Sequence, residues 1–452
     1  MNQLAFLVKM KHTQPVRKKP ETNDIPTGRL VRSWSVARAA FGTGRLFARQ
    51  WWSGDKAGDL SGLGEIVVKE LGKLKGTAMK VGQTLSVYGE AFLPKEAVEV
   101  LKNLQQNTPP VSWTSIESQL LAELGKEKLE RLSIEPQPLA AASIGQVYRA
   151  QIRNTGETVA VKVQYPGVAS AVDADLTVLR TIFKLTGAIP SGPRLDQIFA
   201  EIREMFTQEI DFRNEMRFQG EFADKLKDDH DLIIPPVFAE LSGTTVLTTG
   251  FIEGHRIDAP QVQALSLERR NRIGMAFLRL YLRELLEFHL VQTDPHAGNY
   301  LVQIGEESDR LVLLDFGAVR SVPEDFLRSY VKVIRGSLDR NARLVEEGGR
   351  GLGLLQPEDR SELVQDYVRI CYLITEPFAT QSGSYDWGTS DLPKRVAQQA
   401  IKLSFSYKLR APPRELVFLD RKLGGVFMFL SALKCEFSGR GLIEEALVKA
   451  GF

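Results

Sequence analysis

Apolar residues recur at spacings of three and four from Leu60 onward (Leu63, Ile66, Val67, Leu71, Leu74), which predicts amphipathic helix as far as Glu127. Pro109-Pro110 interrupts the pattern, and Trp113 to Leu124 resumes it. From Pro138 the period changes to two. Leu139–Ala150 reads LAAASIGQVYRA and Val159–Val163 reads VAVKV, with Ile152 and the turn Asn154-Thr155-Gly156 between them. That is the pattern of a twisted antiparallel sheet. Helical spacing returns over Val168–Leu185 and Leu195–Lys227, where Leu195, Phe199, Ile202 and Phe206 share a face. Val246–Thr249 reads as a strand, Leu267–Leu290 as a helix capped by Ser266, and Leu311–Leu314 as a short apolar strand. Residues 322–452 are mostly helical, broken at Pro377–Trp387 and at Pro412-Pro413. The fold class expected is α+β.

Four segments follow: a flexible basic tail over 1–28, a helical extension over 29–137, a lobe containing the strands over 138–250, and a mostly helical lobe over 251–452. The 452 residues are 43% hydrophobic and 25% charged, as in ordinary globular proteins. A net charge of +2 gives no global case for nucleic acid as a partner. The charge is uneven, however: residues 1–50 hold ten Lys or Arg against Glu21 and Asp24. Within 29–52 the arginines alternate with Trp, Phe and Leu at near-helical spacing, the composition of a helix lying on an anionic membrane surface. The competing arrangement is a basic helix packed on its own protein. Cys371 and Cys435 are too few for a disulfide framework, so a reducing compartment is expected. No signal peptide is expected from Leu4–Val8, and Leu423–Leu433 is about half the ~20 residues a spanning helix needs. The resulting expectation is a cytoplasmic protein, peripheral on the inner face of a membrane.

Lys162 sits in an otherwise apolar strand, and a buried ammonium is costly without a partner. The segment QEIDFRNE offers Glu209, Asp211 and Glu215 on what reads as one continuous helix, with Glu215 diverging from Glu209 by ~120°. Such a helix could serve two cations, Lys162 and another. Upstream, Lys80 and Gln83 of Lys80-Val81-Gly82-Gln83 lie on one helical face.

The strand order before Lys162 is that of a kinase phosphate loop. Its pattern G-x-G-x-x-G-x-V becomes Ala140-x-Ala142-x-x-Gly145-x-Val147, with Ser143 inside the turn. Ala140 and Ala142 add β-carbons that restrict backbone approach and φ, so a slow phosphotransferase or ATPase is expected rather than a fast protein kinase. Thr249 and Phe251 fall where a hinge between lobes would meet an adenine.

Two further segments carry chemistry. Asp294 is followed five residues later by Asn299, and an apolar run ends in Asp315-Phe316-Gly317. This is the spacing of a catalytic loop and its metal-binding turn, although Gln292-Thr293 replaces the usual His-Arg before the aspartate. Asp294 suits the proton acceptor, and Asn299 and Asp315 suit the oxygen ligands of Mg²⁺. Asp and Gly are also ordinary turn residues, so each segment alone could be a surface turn.

Taken together, Lys80–Gln83, AAASIGQV (Ala140–Val147), VAVKVQYPGV (Val159–Val168), QEIDFRNE (Gln208–Glu215), QTDPHAGN (Gln292–Asn299) and LLDFG (Leu313–Gly317) resemble the UbiB/AarF family of atypical kinases. RKLGG (Arg421–Gly425) resembles its coenzyme Q branch. The resemblance covers about Leu60 to Ala450. It implies a protein-kinase-like two-lobed fold with an added N-terminal helical KxGQ region. Lys80 and Gln83 would be regulatory, with Lys80 meeting Glu209 and Asp211, while Glu215 pairs with Lys162. It implies binding of ATP or ADP with Mg²⁺ and a role in ubiquinone biosynthesis. The partners implied are membrane lipids or ubiquinone precursors and other ubiquinone-biosynthesis enzymes. The alternatives are a small-molecule phosphotransferase of the aminoglycoside-kinase kind and a nucleotide-gated lipid-binding scaffold.

Overall fold

The computed structural model describes residues 111–452, apart from 143, 181–198, 380–382, 407–411 and scattered positions between 170 and 205. Lys80, Gln83, Ser143 and the basic stretch 29–52 lie outside the described residues.

The first described helix, α1 (Trp113–Glu130), is capped by Ser112, and it buries Ile116, Leu120 and Leu124, one turn apart, against the sheet beside it. Its Glu123 carboxylate accepts the Thr244 amide and the Thr245 hydroxyl, fastening the helix to the far edge of the sheet. Strands β1 (Leu132–Ala141), β2 (Gly145–Ile152), β3 (Thr158–Gln164) and β5 (Val246–Gly250) form an antiparallel sheet in the order β1-β2-β3-β5. Val159, Val161 and Val163 alternate into a core shared with α1 and the buried Phe206 and Phe212. Strand β1 begins at Leu132, so the alternating pattern starts earlier than Pro138.

One expectation fails here. The helix expected to run unbroken over 195–227 stops at Ile210, Asp211 is extended, and a new helix α2 (Phe212–Lys225) begins. The cause is local. The Asp211 carboxylate accepts the Arg213 amide at 3.0 Å, which favours an N-cap over a helix interior, and the Phe212 amide turns to the Thr244 carbonyl. Arguments from a single helical wheel through Glu209, Asp211 and Glu215 therefore do not hold.

The second lobe is built on α3 (Leu267–Leu286), capped by Ser266 as expected but ending four residues short of Leu290. His289 adopts φ +52 and turns the chain into β6 (Leu290–Gln292), which pairs with β9 (Val319–Ser321). Strands β7 (Tyr300–Gln303) and β8 (Arg310–Leu313) form a hairpin, and β8 pairs in parallel with β4 (Leu232–Ile233). Helices α4 (Glu324–Leu338), α5 (Ala342–Gly351), α6 (Ser361–Ile374), α7 (Leu392–Ser406), α8 (Arg414–Ala432) and α9 (Arg440–Lys449) complete the lobe. The apolar stretch Leu423–Leu433 lies in and just past α8. Its Val426, Phe429, Leu430 and Leu433 are core residues, with Phe429 stacked on Phe277 at 3.9 Å. Among the described residues no helix is long and apolar enough to cross a membrane. The architecture is α+β, as expected, with one main core on the four-stranded sheet, another around α3 and α8, and two smaller clusters among α4 to α7.

Candidate active site

Three elements converge on one ammonium group. Lys162, from β3, donates to both Glu215 oxygens of α2 at 2.8 and 2.9 Å, and its Nζ lies 3.5 Å from Asp315 Oδ2. Burial opposes the charge on Lys162, but Asp315 and Glu215 more than offset it and hold the group above its ordinary value. Burial pushes Glu215 up, to about 7, against the pull of the Lys162 ammonium. The pairing follows from the fold. The break at Asp211 restarts the chain as α2, which places Glu215 in the first turn beneath β3.

The sheet register sets the neighbours of Lys162. Ala140 pairs with Val147, Val147 with Lys162, and Lys162 with Leu247. Directly paired residues share a face, so Ala140, Val147 and Lys162 line one side of the sheet, and Thr249, two along from Leu247, joins them. The Ala142 amide donates to the Gly145 carbonyl at 2.8 Å and closes the turn between β1 and β2. Gly145 is required for packing: a β-carbon there would lie 2.3 Å from the Val163 carbonyl oxygen. Phe251 differs from expectation in one respect. Its amide is already engaged by the Thr158 carbonyl, and its ring lies beneath the Arg149 guanidinium at 4.9 Å.

The two loops of the second lobe are tied together. Thr293 donates through its amide and its hydroxyl to the Ala318 carbonyl, both at 2.8 Å, and the Leu314 amide donates to the Asn299 carbonyl at 3.0 Å. Asn299 Nδ2 lies 3.0 Å from the Asp294 carbonyl and 3.3 Å from its Oδ2, so the amide oxygen remains as an acceptor. Asp315 Oδ1 accepts the Gly317 amide at 2.9 Å, and Phe316 is buried against Phe222. An amide oxygen and a carboxylate oxygen at adjoining loop ends are the hard donors that Mg²⁺ takes.

The remaining pair of carboxylates separates. Asp211 faces Arg213, whose hydrogen bonds hold its carboxyl below the ordinary range. Glu209 is buried and acts electrostatically on both Lys162 and Glu215. The site thus brings together Lys162, Glu215, Asp315, Asp294, Asn299 and Glu209; Asp211 caps α2 at its margin.

The ABC1 atypical kinase-like domain matches residues 103–348, more than half of the chain and all the loops just described. The chain belongs to the ABC1 family of atypical kinases. It is 32% identical to the mitochondrial atypical kinase COQ8 of Schizosaccharomyces pombe over 83% of this chain, and it spans 62% of that protein's length. It is 33% identical to the mitochondrial atypical kinase COQ8B of Rattus norvegicus, over 84% of this chain and 71% of that one. The solved structure of Rv3197 from Mycobacterium tuberculosis, a complex with erythromycin, matches with a TM-score of 0.60 and 29% identity, over 83% of this chain and 93% of that one. The UbiB/AarF resemblance and the kinase-like fold are thereby borne out.

The ABC1 site contains residues that motif reading did not assign. Arg421, from α8, donates to Asp294 Oδ1 at 2.8 Å. Lys422 is fully buried, 3.1 Å from Glu284. Gly425 lies against Pro295. The available signal was an Arg-Lys pair at the edge of an apolar helical stretch, where a lysine needs a partner.

The alanine loop gives the first prediction. Ala140 lies in β1 and Ala142 closes the turn, both without positive φ. Glycine at either position widens the conformations open to the loop. The ratio of ATP to ADP affinity, read by isothermal titration, is expected to change severalfold in Ala140→Gly and Ala142→Gly. Unchanged affinities and turnover in both variants would make the alanines merely tolerated.

Proposed function

We propose that the protein binds ATP or ADP with Mg²⁺ in the cleft below the β1–β2 turn and runs slow phosphoryl chemistry in support of ubiquinone biosynthesis. The observation that carries this reading is the convergence of Lys162, Glu215 and Asp315 from a strand, a helix and a loop, with Lys162 within 3.5 Å of both carboxylates. A buried cation already shared between two carboxylates is placed to meet phosphate oxygens at small reorganisation cost. Asn299 and Asp315 would hold Mg²⁺, which when bound neutralises developing phosphate charge. Asp294 accepts the proton of the attacking hydroxyl or water as its oxygen bonds to the γ-phosphorus. The bond to the β,γ-bridging oxygen breaks, and its electron pair stays on ADP.

The names of the relatives, mitochondrial atypical kinases, support the pathway assignment. ATP turnover with and without anionic liposomes and quinone-precursor phenols tests it, and stimulation by either is the expected result. Nucleotide binding with no turnover under any condition would instead favour the nucleotide-gated scaffold. In this reading Lys80 meets Glu209 or Asp211, and residues 29–52 bind the membrane peripherally. Each basic residue near an anionic surface contributes about 1 kcal/mol, screened by salt. Full-length protein is expected to float with anionic vesicles at low salt, and protein lacking residues 1–58 to stay behind. Equal flotation of both would move the membrane contact elsewhere on the chain.

A further inference from the structure

Asp294 is held from outside its own loop. Between Asp294 and Asn299 the chain carries no Lys or Arg, and Gln292-Thr293 precede the aspartate. The cation beside it comes from 127 residues downstream, where Arg421 donates to Oδ1 at 2.8 Å. The two side chains are only 19% and 15% exposed. The next residue braces the same loop from behind. Lys422 Nζ lies 3.4 Å from Gln292 Oε1, and Gln292 Nε2 donates to the Asp294 carbonyl at 2.9 Å. One turn on from Arg421, Gly425 meets Pro295 so closely that a β-carbon would lie 2.0 Å from the proline Cβ. One α8 segment thus meets the Asp294 side chain and the following Pro295 directly, and the Asp294 carbonyl through Gln292.

We infer that Arg421 is a positioning residue for phosphoryl transfer, holding the Asp294 carboxylate in the one orientation from which it takes the proton of the attacking group. This rests on the reading of Asp294 as that acceptor. A carboxylate on two single bonds rotates freely, and proton transfer needs it within about 3 Å of the donor oxygen. The charge-assisted bond from Arg421 fixes Oδ1, and Asn299 approaches Oδ2 at 3.3 Å, so the two oxygens are held by donors from two different elements. Arginine suits the task because its guanidinium is always charged and pre-organised.

The test uses full-length protein, ATP turnover and ADP binding. Arg421→Gln is expected to lower kcat about 100-fold, the scale of a small misplacement of a catalytic group. KM for ATP, the Kd for ADP and the melting temperature should stay near wild type. Arg421→Lys, which keeps the charge, should recover part of the loss. In an Asp294→Asn background, Arg421→Gln should cost nothing further, because its effect passes through Asp294. Unchanged kcat in Arg421→Gln, or an undiminished further loss in the Asp294→Asn background, would overturn the inference. Were the glutamine variant to melt early, the Arg421→Lys variant decides: full loss of kcat with unchanged ADP affinity would also overturn it. If Asp294→Asn itself keeps wild-type turnover, the underlying reading of Asp294 falls instead.

Discussion

Asp315→Asn is expected to lower Mg²⁺-dependent ATP turnover about 1,000-fold while leaving the fold intact. The substitution is isosteric, and an amide oxygen can still accept the Gly317 amide that now meets Oδ1 at 2.9 Å. Lys162 keeps both of its bonds to Glu215. What disappears is the negative charge on Oδ2, the atom 3.5 Å from Lys162 that would meet the cation. Metal ions supply several kcal/mol of transition-state stabilisation, and each 1.36 kcal/mol is about tenfold in rate. Losing the only anionic ligand of the proposed pair is therefore worth about three decades. Initial rates over a Mg²⁺ titration, with thermal melting alongside, give the result. Undiminished turnover at every Mg²⁺ concentration would remove Asp315 from the metal site.

The same charge shows how much of the site was legible in the sequence. Lys162 was readable because an ammonium in an apolar strand demands a carboxylate, and the DFG turn because it follows Asp294 and Asn299 in the order of a catalytic loop. Glu215 was singled out from its neighbouring carboxylates by the family resemblance alone. The geometry of its neighbours was not, because the break at Asp211 depends on a cap formed with Arg213 and on the Thr244 carbonyl reached across the lobe. Periodicity reports which residues are apolar, and a polar residue that ends a helix inside an apolar pattern is silent to it. Hence Asp211 could not be read as the cap of a new helix paired with Arg213.

Arg421 was illegible for a different reason. RKLGG marked its segment only as a family resemblance, with no role attached, and its partner is 127 residues away. Lys422 was nearer to being readable. Its complete burial beside Glu284, with both at 1% exposure or less, is the kind of ion pair whose single-sided removal costs about 3–5 kcal/mol. That cost is structural, so Lys422 is a poor probe of chemistry, while Arg421 and the neighbouring glycines are better ones.

Those glycines, Gly424 and Gly425, are adjacent in α8 and predict opposite outcomes. In a helix interior each costs about 1 kcal/mol relative to alanine, so both positions have something to gain from a methyl group. At Gly424 nothing lies within 4 Å of the added β-carbon. Gly424→Ala is therefore expected to raise the melting temperature by about 1 °C and leave turnover unchanged. At Gly425 the β-carbon would stand 2.0 Å from Pro295 Cβ and 2.3 Å from its Cγ. A proline ring has no rotamer to retreat into, so either α8 or the loop carrying Asp294 must shift by more than an ångström. Overpacking of this kind costs about 1–3 kcal/mol, enough to cancel the helix gain or exceed it. A displacement of that size at Asp294, the proposed proton acceptor, is expected to lower kcat about 100-fold. Gly425→Ala should consequently lose most turnover with little gain or a loss in stability, beside a Gly424→Ala control that is active and more stable. Parallel melting and steady-state turnover of the two variants reads both quantities. Full activity in Gly425→Ala would mean that the loop does not depend on α8 for its position, and the bracing of Asp294 from that helix would fall with it.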